Sequence, residues 1–456
     1  MLWDLALTIV SAGMASTDPA TRPTEPIFPR LPPGPARIPA DRVARHQKAR
    51  LEGAMVEAVA RHGFAGTTLR ELVTLAGVSK STFYEHFESK EECFLSTFDE
   101  IVAQLGARVG DAYRSAGGFR DQLNAGLAAF MNLAVEEPAA ASLAAIESLT
   151  LGRAGVEHRE RASQAFEALI QQSYDSSPSE VQVSPIVVRA VVGGIRGVAY
   201  RRLRANQPKE LPPLVGELTE WVLRYQQPDS EATARAVASA ERPAPPGDKA
   251  VGGEGAPGWD EPPDSRPSRR ALTQRERIVR AAARVVVEKG YAALSIPAIS
   301  AAAGTSNQTF YEHFDSKRDA FLAAFEILVA EAFGAGAAAF AREGDRPEAI
   351  GAGLRALLEH IAGDELFAQL AFFELPTAGP VALDRADATM DSFSAFLEPE
   401  QAPSGLGAPL PRAVLEAIPT GTWAVLQHEI AHGRRESLPD LAPDLTRIAL
   451  APFGPG

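Results

Sequence analysis

At 456 residues the chain exceeds one comfortable hydrophobic core, so two or more domains are expected. A net charge of −13 argues against indiscriminate nucleic-acid binding without excluding a local basic face. The single cysteine, Cys93, excludes an internal disulfide and fits a reducing compartment, so a cytoplasmic protein is expected.

The apolar segment 1–15 contains Asp4 and lacks a basic start, which makes it a poor signal peptide and too short a span. No other stretch reads as transmembrane, and no membrane partner is expected. Residues 17–40 carry Pro19, Pro23, Pro26, Pro29, Pro32, Pro33, Pro35 and Pro39, so residues 1–40 read as a disordered lead-in. Arg42, Arg45, His46, Lys48 and Arg50 then form a basic arm.

Leu51, Ala54, Met55, Ala58 and Val59 make the stripe of an amphipathic helix that stops at Gly63. Thr68, with Glu71 three residues on, reads as the capping box of a second helix that buries Leu69, Leu72, Val73 and Ala76. Gly77 turns the chain, and Ser79 caps a third helix, 80–87. Ser89 with Glu92 caps a longer fourth helix. A glycine turn this short between helices two and three predicts a helix-turn-helix. From residue 107 to 228 the chain reads as all helix. Residues 229–268 are rich in Pro, Gly, Ala and charge without period, and read as a disordered linker.

Then the pattern repeats. Six residues in a row, Thr82 to Phe87, recur as Thr309 to Phe314, at an offset of 310 − 83 = 227. Ile278, Ala281, Ala282, Val285 and Val286 repeat the first stripe, after a second basic arm of Arg266, Arg269, Arg270, Arg275 and Arg277. Gly290, Ser295, Gly304, Ser306 and Lys317 match Gly63, Thr68, Gly77, Ser79 and Lys90. The register persists downstream: Leu211-Pro212 recurs as Leu438-Pro439, and Glu147 corresponds to Glu374. A duplication covering both the head and its helical companion explains this.

The run Gly-Phe-Ala-Gly-Thr-Thr at 63–68, the run Ala-Gly-Val-Ser-x-x-Thr-Phe-Tyr-x-His-Phe at 76–87 and the pair Ser89-Lys90 resemble the TetR family of bacterial regulators. The second copy carries the same marks at 290–292, 303–306, 309–314 and 316–317. The resemblance covers about 60 residues per copy. It implies an all-α fold of two tandem units, each a three-helix DNA-binding head plus a helical effector and dimerisation bundle. The boundaries expected are 41–100 and 269–327 for the heads, and 101–228 and 328–456 for the bundles. A one-head protomer is usual in the family; here two heads share one chain, so the halves are expected to act as an intramolecular pseudo-dimer, with a homodimer of four heads as the competing arrangement.

In a helix-turn-helix the first turn of the third helix meets base edges. That turn offers Lys80 and Ser81 in the first copy, Asn307 and Gln308 in the second. Lysine suits guanine O6 and N7; Asn and Gln suit adenine N6 and N7. The heads should therefore read different half-sites of a double-stranded operator. Chemistry and the family resemblance assign Thr82, Tyr84, His86 and Lys90, and their counterparts Thr309, Tyr311, His313 and Lys317, mainly to phosphate. Thr68, Ser79, Ser295 and Ser306 stand at helix N-termini, which favour phosphate. Phe83, Phe87, Phe310 and Phe314 read as core.

The functional expectation is a repressor released by a small-molecule effector. Apolar or buried-charge character marks Phe130, Glu147, Tyr174, Tyr200, Phe372, Phe373 and Glu374 as pocket candidates. No cofactor is expected. Two alternatives come from other classes: an effector-independent activator or architectural protein, and a zinc hydrolase. The second rests on His428-Glu429-Ile430-Ala431-His432, a literal H-E-x-x-H whose histidines would share a helix face and bind metal. A solvated helix face is the plainer reading of that motif.

Overall fold

The computed structural model describes residues 40–177, 179, 181–243, 273–395, 397 and 409–453. The lead-in before residue 40 and most of the linker lie outside these residues. Among the described residues all regular structure is helical.

The first half runs α1 (Ala40–Gly66), α2 (Leu69–Ala76), α3 (Lys80–His86), α4 (Lys90–Ser115), α5 (Phe119–Glu136), α6 (Pro138–Ala145), α7 (Gly152–Asp175), α8 (Pro185–Arg204) and α9 (Val215–Arg224). Next comes α10 (Glu231–Glu241). The second half runs α11 (Gln274–Lys289), α12 (Ile296–Ala303), α13 (Asn307–Tyr311), α14 (Lys317–Phe340), α15 (Arg346–Gly363), α16 (Glu365–Gln369), α17 (Pro380–Ala395), α18 (Arg412–Ala431) and α19 (Ala442–Leu450). The starts of α2, α3, α4, α5, α6, α8 and α9 recur at an offset of 227 as those of α12, α13, α14, α15, α16, α18 and α19. The duplication read from short motifs thus runs through the whole helical body.

The chain divides into two compact units. One comprises Met1–Ser177 with Ala199–Thr219; the other comprises Pro178–Val198 with Glu220–Gly456. The core of the first unit's head gathers Leu51, Met55, Leu72, Phe83, Phe87 and Phe94 with Leu143 of α6.

The boundary cuts through α8, and the reason lies in the second unit. There the first part of α8 packs on α18 through small residues. A Cβ on Gly194 would stand 2.7 Å from Ala417 O and 2.7 Å from the Trp221 ring. A Cβ on Gly421 would run into the Ala190 carbonyl. Residues 194 and 421, and 190 and 417, are counterparts at the offset of 227. The two helices therefore meet by a reciprocal contact, the signature of a two-fold arrangement. Val187, Val188, Val191 and Ile195 are buried alongside. Tyr225 closes the same layer: its hydroxyl accepts from Trp221 Nε1 at 3.0 Å and donates to Ile448 O at 2.9 Å.

Three readings change. First, α10 occupies the start of the stretch read as linker. Ser230 caps it, and Thr233, Ala236, Val237 and Ala240 are buried against α15 and α19. Gly351 of α15 lies so close under it that a Cβ would strike Ala236 O. The apolar stripe of α10 is only alanine and valine, so composition masked it. Second, α14 is long and apolar enough to cross a membrane, with mean hydropathy 1.6 over its best window. Its apolarity serves packing: Ala320, Phe321, Ala324, Phe325, Leu328 and Ala332 are buried. Third, the first basic arm is not an arm but the opening turns of α1. Lys48 pairs with Glu52 at 2.8 Å, and Arg50 donates to Gly77 O at 3.1 Å, holding the turn between α2 and α3. In the second arm, Arg266, Arg269 and Arg270 lie outside the described residues; Arg275 sits over the Phe314 ring at 5.1 Å, and the Arg277 guanidinium Nε is buried.

Candidate DNA-recognition surfaces

Each head presents its third helix by the same local chemistry. Gly77 takes the left-handed conformation (φ 60, ψ 41) that ends α2, and Gly304 repeats it (φ 63, ψ 40). A side chain at such an angle is strained, which is why glycine stands there. Ser79 Oγ then accepts from Thr82 N at 3.0 Å, and Ser306 Oγ from Thr309 N at 3.0 Å. The Thr82 and Thr309 hydroxyls close onto these caps at 2.9 and 3.1 Å. Beneath, Phe83 and Phe310 are fully buried and anchor the helix.

The opposite face is free. Lys80, Ser81 and Tyr84 are exposed in the first head; Asn307, Gln308, Tyr311 and His313 are exposed in the second. Tyr84 and Tyr311 are among the few large apolar side chains left open, at 53% and 59% exposure. Each stands edge-on to the buried phenylalanine before it. Lys80 Nζ lies 5.7 Å from the Tyr84 ring centre. Thr68 and Ser295 cap α2 and α12, accepting from Glu71 N and Ala298 N at 3.3 Å each, and both are exposed.

The capping boxes are only half made in the first head. Glu71 turns to His62 at 3.1 Å, and Glu92 accepts from Glu88 N rather than from its cap. A reciprocal box does form where none was read, between Thr273 and Glu276 at the start of α11.

Two sets of residues fall elsewhere than expected. Lys90 is half-buried, and its ammonium donates to Phe64 O and Thr67 O at 2.8 Å each, 4.3 Å above the Phe64 ring. Burial holds its pKa below the usual lysine value. Lys317 donates to Leu294 O at 2.6 Å and lies 5.0 Å from the Tyr291 ring. These lysines pin the loop between the first two helices of each head, a structural use the sequence did not reveal. His86 is half-buried, with Nε2 3.4 Å from Gln47 Oε1.

Glu147 and Glu374, read as pocket residues, also serve the heads. Glu147 Oε2 accepts from Phe64 N at 2.8 Å, and Glu374 Oε2 accepts from Tyr291 N at 2.9 Å. Each carboxylate is carried by the helical body and grips the backbone just after the positive-φ glycine of its own head, Gly63 or Gly290. Of the other pocket candidates, Tyr174 is buried edge-on to Phe119 at 5.2 Å, Phe372 stacks on Trp423 at 3.9 Å, and Phe373 is buried. Phe130 and Tyr200 are half-buried.

Among the described residues an apolar cleft lies elsewhere. It sits in the second unit, partly open to solvent, and is lined by α14, α15 and α17, with Leu397 and Ala449. Neither histidine of the H-E-x-x-H motif lines it. The rings of His428 and His432 lie 4.3 Å apart at a 39° tilt, and His432 Nδ1 is 2.8 Å from His428 O. Burial, then the neighbouring His432, pushes His428 down to about 4. Both Glu429 oxygens accept from Arg434, at 2.6 and 3.0 Å. Burial works against ionisation of Glu429, but this guanidinium outweighs it. A glutamate so committed is not placed as the base of a zinc hydrolase.

The family model described as bacterial regulatory proteins, tetR family, matches residues 53–97 and 278–324. The uncharacterized HTH-type transcriptional regulator YerO of Bacillus subtilis is 42% identical over 56 residues, 12% of this chain, and the chain spans only 19% of that relative. Among solved structures, the transcriptional regulator FadR of Bacillus subtilis in complex with stearoyl-CoA matches 39% of this chain and 97% of its own, at 16% identity and a TM-score of 0.36. A TetR family regulator from Marinobacter aquaeolei VT8 matches 40% of this chain and 97% of its own, at 19% identity and a TM-score of 0.33. The two matched segments coincide with the two heads built above, so each half of the chain carries one domain that matches the tetR family model.

Proposed function

We propose that this protein is a sequence-specific transcriptional repressor, released by a small-molecule effector, whose two unlike heads read an asymmetric operator as an intramolecular pseudo-dimer. The observation that carries this reading is the pair of exposed first turns, Lys80-Ser81 and Asn307-Gln308, on otherwise matching heads. A lysine and an Asn-Gln pair select different bases. Tyr84, Tyr311 and the exposed caps are suited to phosphate contacts that fix register without reading sequence. Lys90 and Lys317 are assigned to loop geometry, each with donor capacity left for a phosphate. The reciprocal contact of Gly194 and Gly421 supports pairing within one chain, because it consumes the helix faces that would otherwise join two chains.

Selection of random duplex DNA on the purified protein, followed by sequencing of the enriched sites, tests the proposal. It predicts one site built from two different half-sites, bound by a species of about 48.5 kDa. A palindrome of one half-site, bound at twice that mass, refutes the pseudo-dimer. No enrichment at low salt refutes DNA recognition.

A further inference from the structure

The duplication allows the apolar cleft to be compared with its own counterpart, position by position. In the second half the cleft is bordered by Gly336, Ala337 and Phe340 on α14 and by Gly353, Leu354 and Leu357 on α15. At the offset of 227 the first half carries Val109, Gly110 and Tyr113 on α4 and Gly126, Leu127 and Phe130 on α5.

Two of these differences decide the outcome. Where the second half has Gly336, Val109 fills the space: its Cγ1 lies 3.6 Å from the position a Cβ on Gly126 would take. Where the second half has Phe340, the Tyr113 ring also closes on Gly126, at 3.6 Å, and its hydroxyl is hydrogen-bonded to Ser173 Oγ on α7. The bond ties the ring from α4 to α7. Val109, Gly110 and Tyr113 are accordingly buried, whereas Gly336 and Phe340 are half-buried and Ala337 is exposed.

We propose that effector binding is confined to the second half, one molecule per chain, and that the effector inserts an uncharged alkyl or aryl group into the cleft. This deepens the effector reading above and rests on it only for its regulatory meaning; the binding itself does not require DNA. The residues bordering the cleft carry no charged or hydroxyl group. An apolar lining favours an apolar occupant, while a buried charge without a partner is strongly disfavoured.

The test is a fluorescence titration of the full-length protein with N-phenyl-1-naphthylamine, displaced by 1-decanol, and with decanoate as the charged comparison. The expected result is one site per chain, with 1-decanol displacing the probe at least tenfold better than decanoate. Leu357→Phe installs the first half's side chain and Leu357→Trp fills more of the cleft; both should weaken binding at least tenfold while helicity and melting are retained. Val109→Gly with Tyr113→Phe should raise the stoichiometry from one to two. Two sites in the unaltered chain, or probe binding indifferent to both Leu357 variants, overturns the proposal, as does the absence of probe binding. Whether 1-decanol also lowers DNA affinity is read separately by gel shift. Binding without release would refute the effector mechanism and leave the site standing.

Discussion

Replacing Glu147 by leucine should loosen the hold of the helical body on the first head without touching the DNA-facing surface. Glu147 Oε2 accepts from Phe64 N at 2.8 Å, and Lys90 takes Phe64 O, so both backbone polar groups of Phe64 are held by charged side chains. The removal leaves a half-buried N–H without its acceptor, which costs about 1–3 kcal/mol. For a unit of this size each kcal/mol lowers the melting temperature by about 2–4 °C. Glu147→Gln keeps an oxygen in place but loses the charge-assisted part of the bond, so roughly half the cost is expected. Amide exchange read at Phe64 is the sharpest assay: protection should fall about tenfold or more in Glu147→Leu, since 1.4 kcal/mol corresponds to a factor of ten. Protection at Tyr291, whose acceptor is Glu374, should not change. Unchanged exchange at Phe64 together with unchanged melting would refute the idea that this carboxylate holds the head.

Further expectations concern separate parts of the chain. Lys80→Ala should relax base preference only at the half-site of the first head, and Asn307→Ala only at that of the second, by about 1–3 kcal/mol each, as read by competition binding with single-base operator variants. Gly421→Val should cost several kcal/mol in thermal unfolding, because its side chain has nowhere to go against the Ala190 backbone, whereas valine at Gly216, where a Cβ meets nothing, should cost little beyond helix propensity. His428 is held down to about 4, so the folded state keeps it neutral while the unfolded chain protonates near 6.5. The unfolded state therefore binds more protons between these values, and stability falls as pH drops from about 6.5 to 4, by up to about 3 kcal/mol. His428→Asn should flatten that part of the pH–stability curve relative to the unaltered protein, a difference urea titrations at pH 7 and 4.5 will resolve.

The heads were legible because their determinants are local. A glycine at positive φ, a serine cap and a buried phenylalanine lie within a few residues of one another at 77–83, and the same set recurs at 304–310. The length of the duplication was legible for the same reason, since one constant offset links every motif. Side-chain partners far apart in sequence were not. Glu147 and Phe64 are 83 residues apart, and Lys90 and Phe64 are 26 apart, so nothing local distinguishes a carboxylate bound to a backbone amide from one facing a ligand. The cleft was missed because it depends on what is absent: Gly336 stands where the first half has Val109, and a missing side chain leaves no motif. Helix α10 escaped because alanine packing on Gly351 needs a neighbour that lies beyond the connecting segment.

The sharing of α8 between the two units also sets an order of events during synthesis. Ala190, Gly193, Gly194 and Gly197 leave the ribosome long before α18, the helix they meet, exists. At about 5–20 residues per second, the roughly 200 residues between them take about 10–40 s to make. Through that interval the nascent first half carries an uncovered apolar helix face shaped to receive a copy of itself. Two ribosomes on one message therefore hold complementary faces near each other, and the chain's own second half must arrive in time to claim the place.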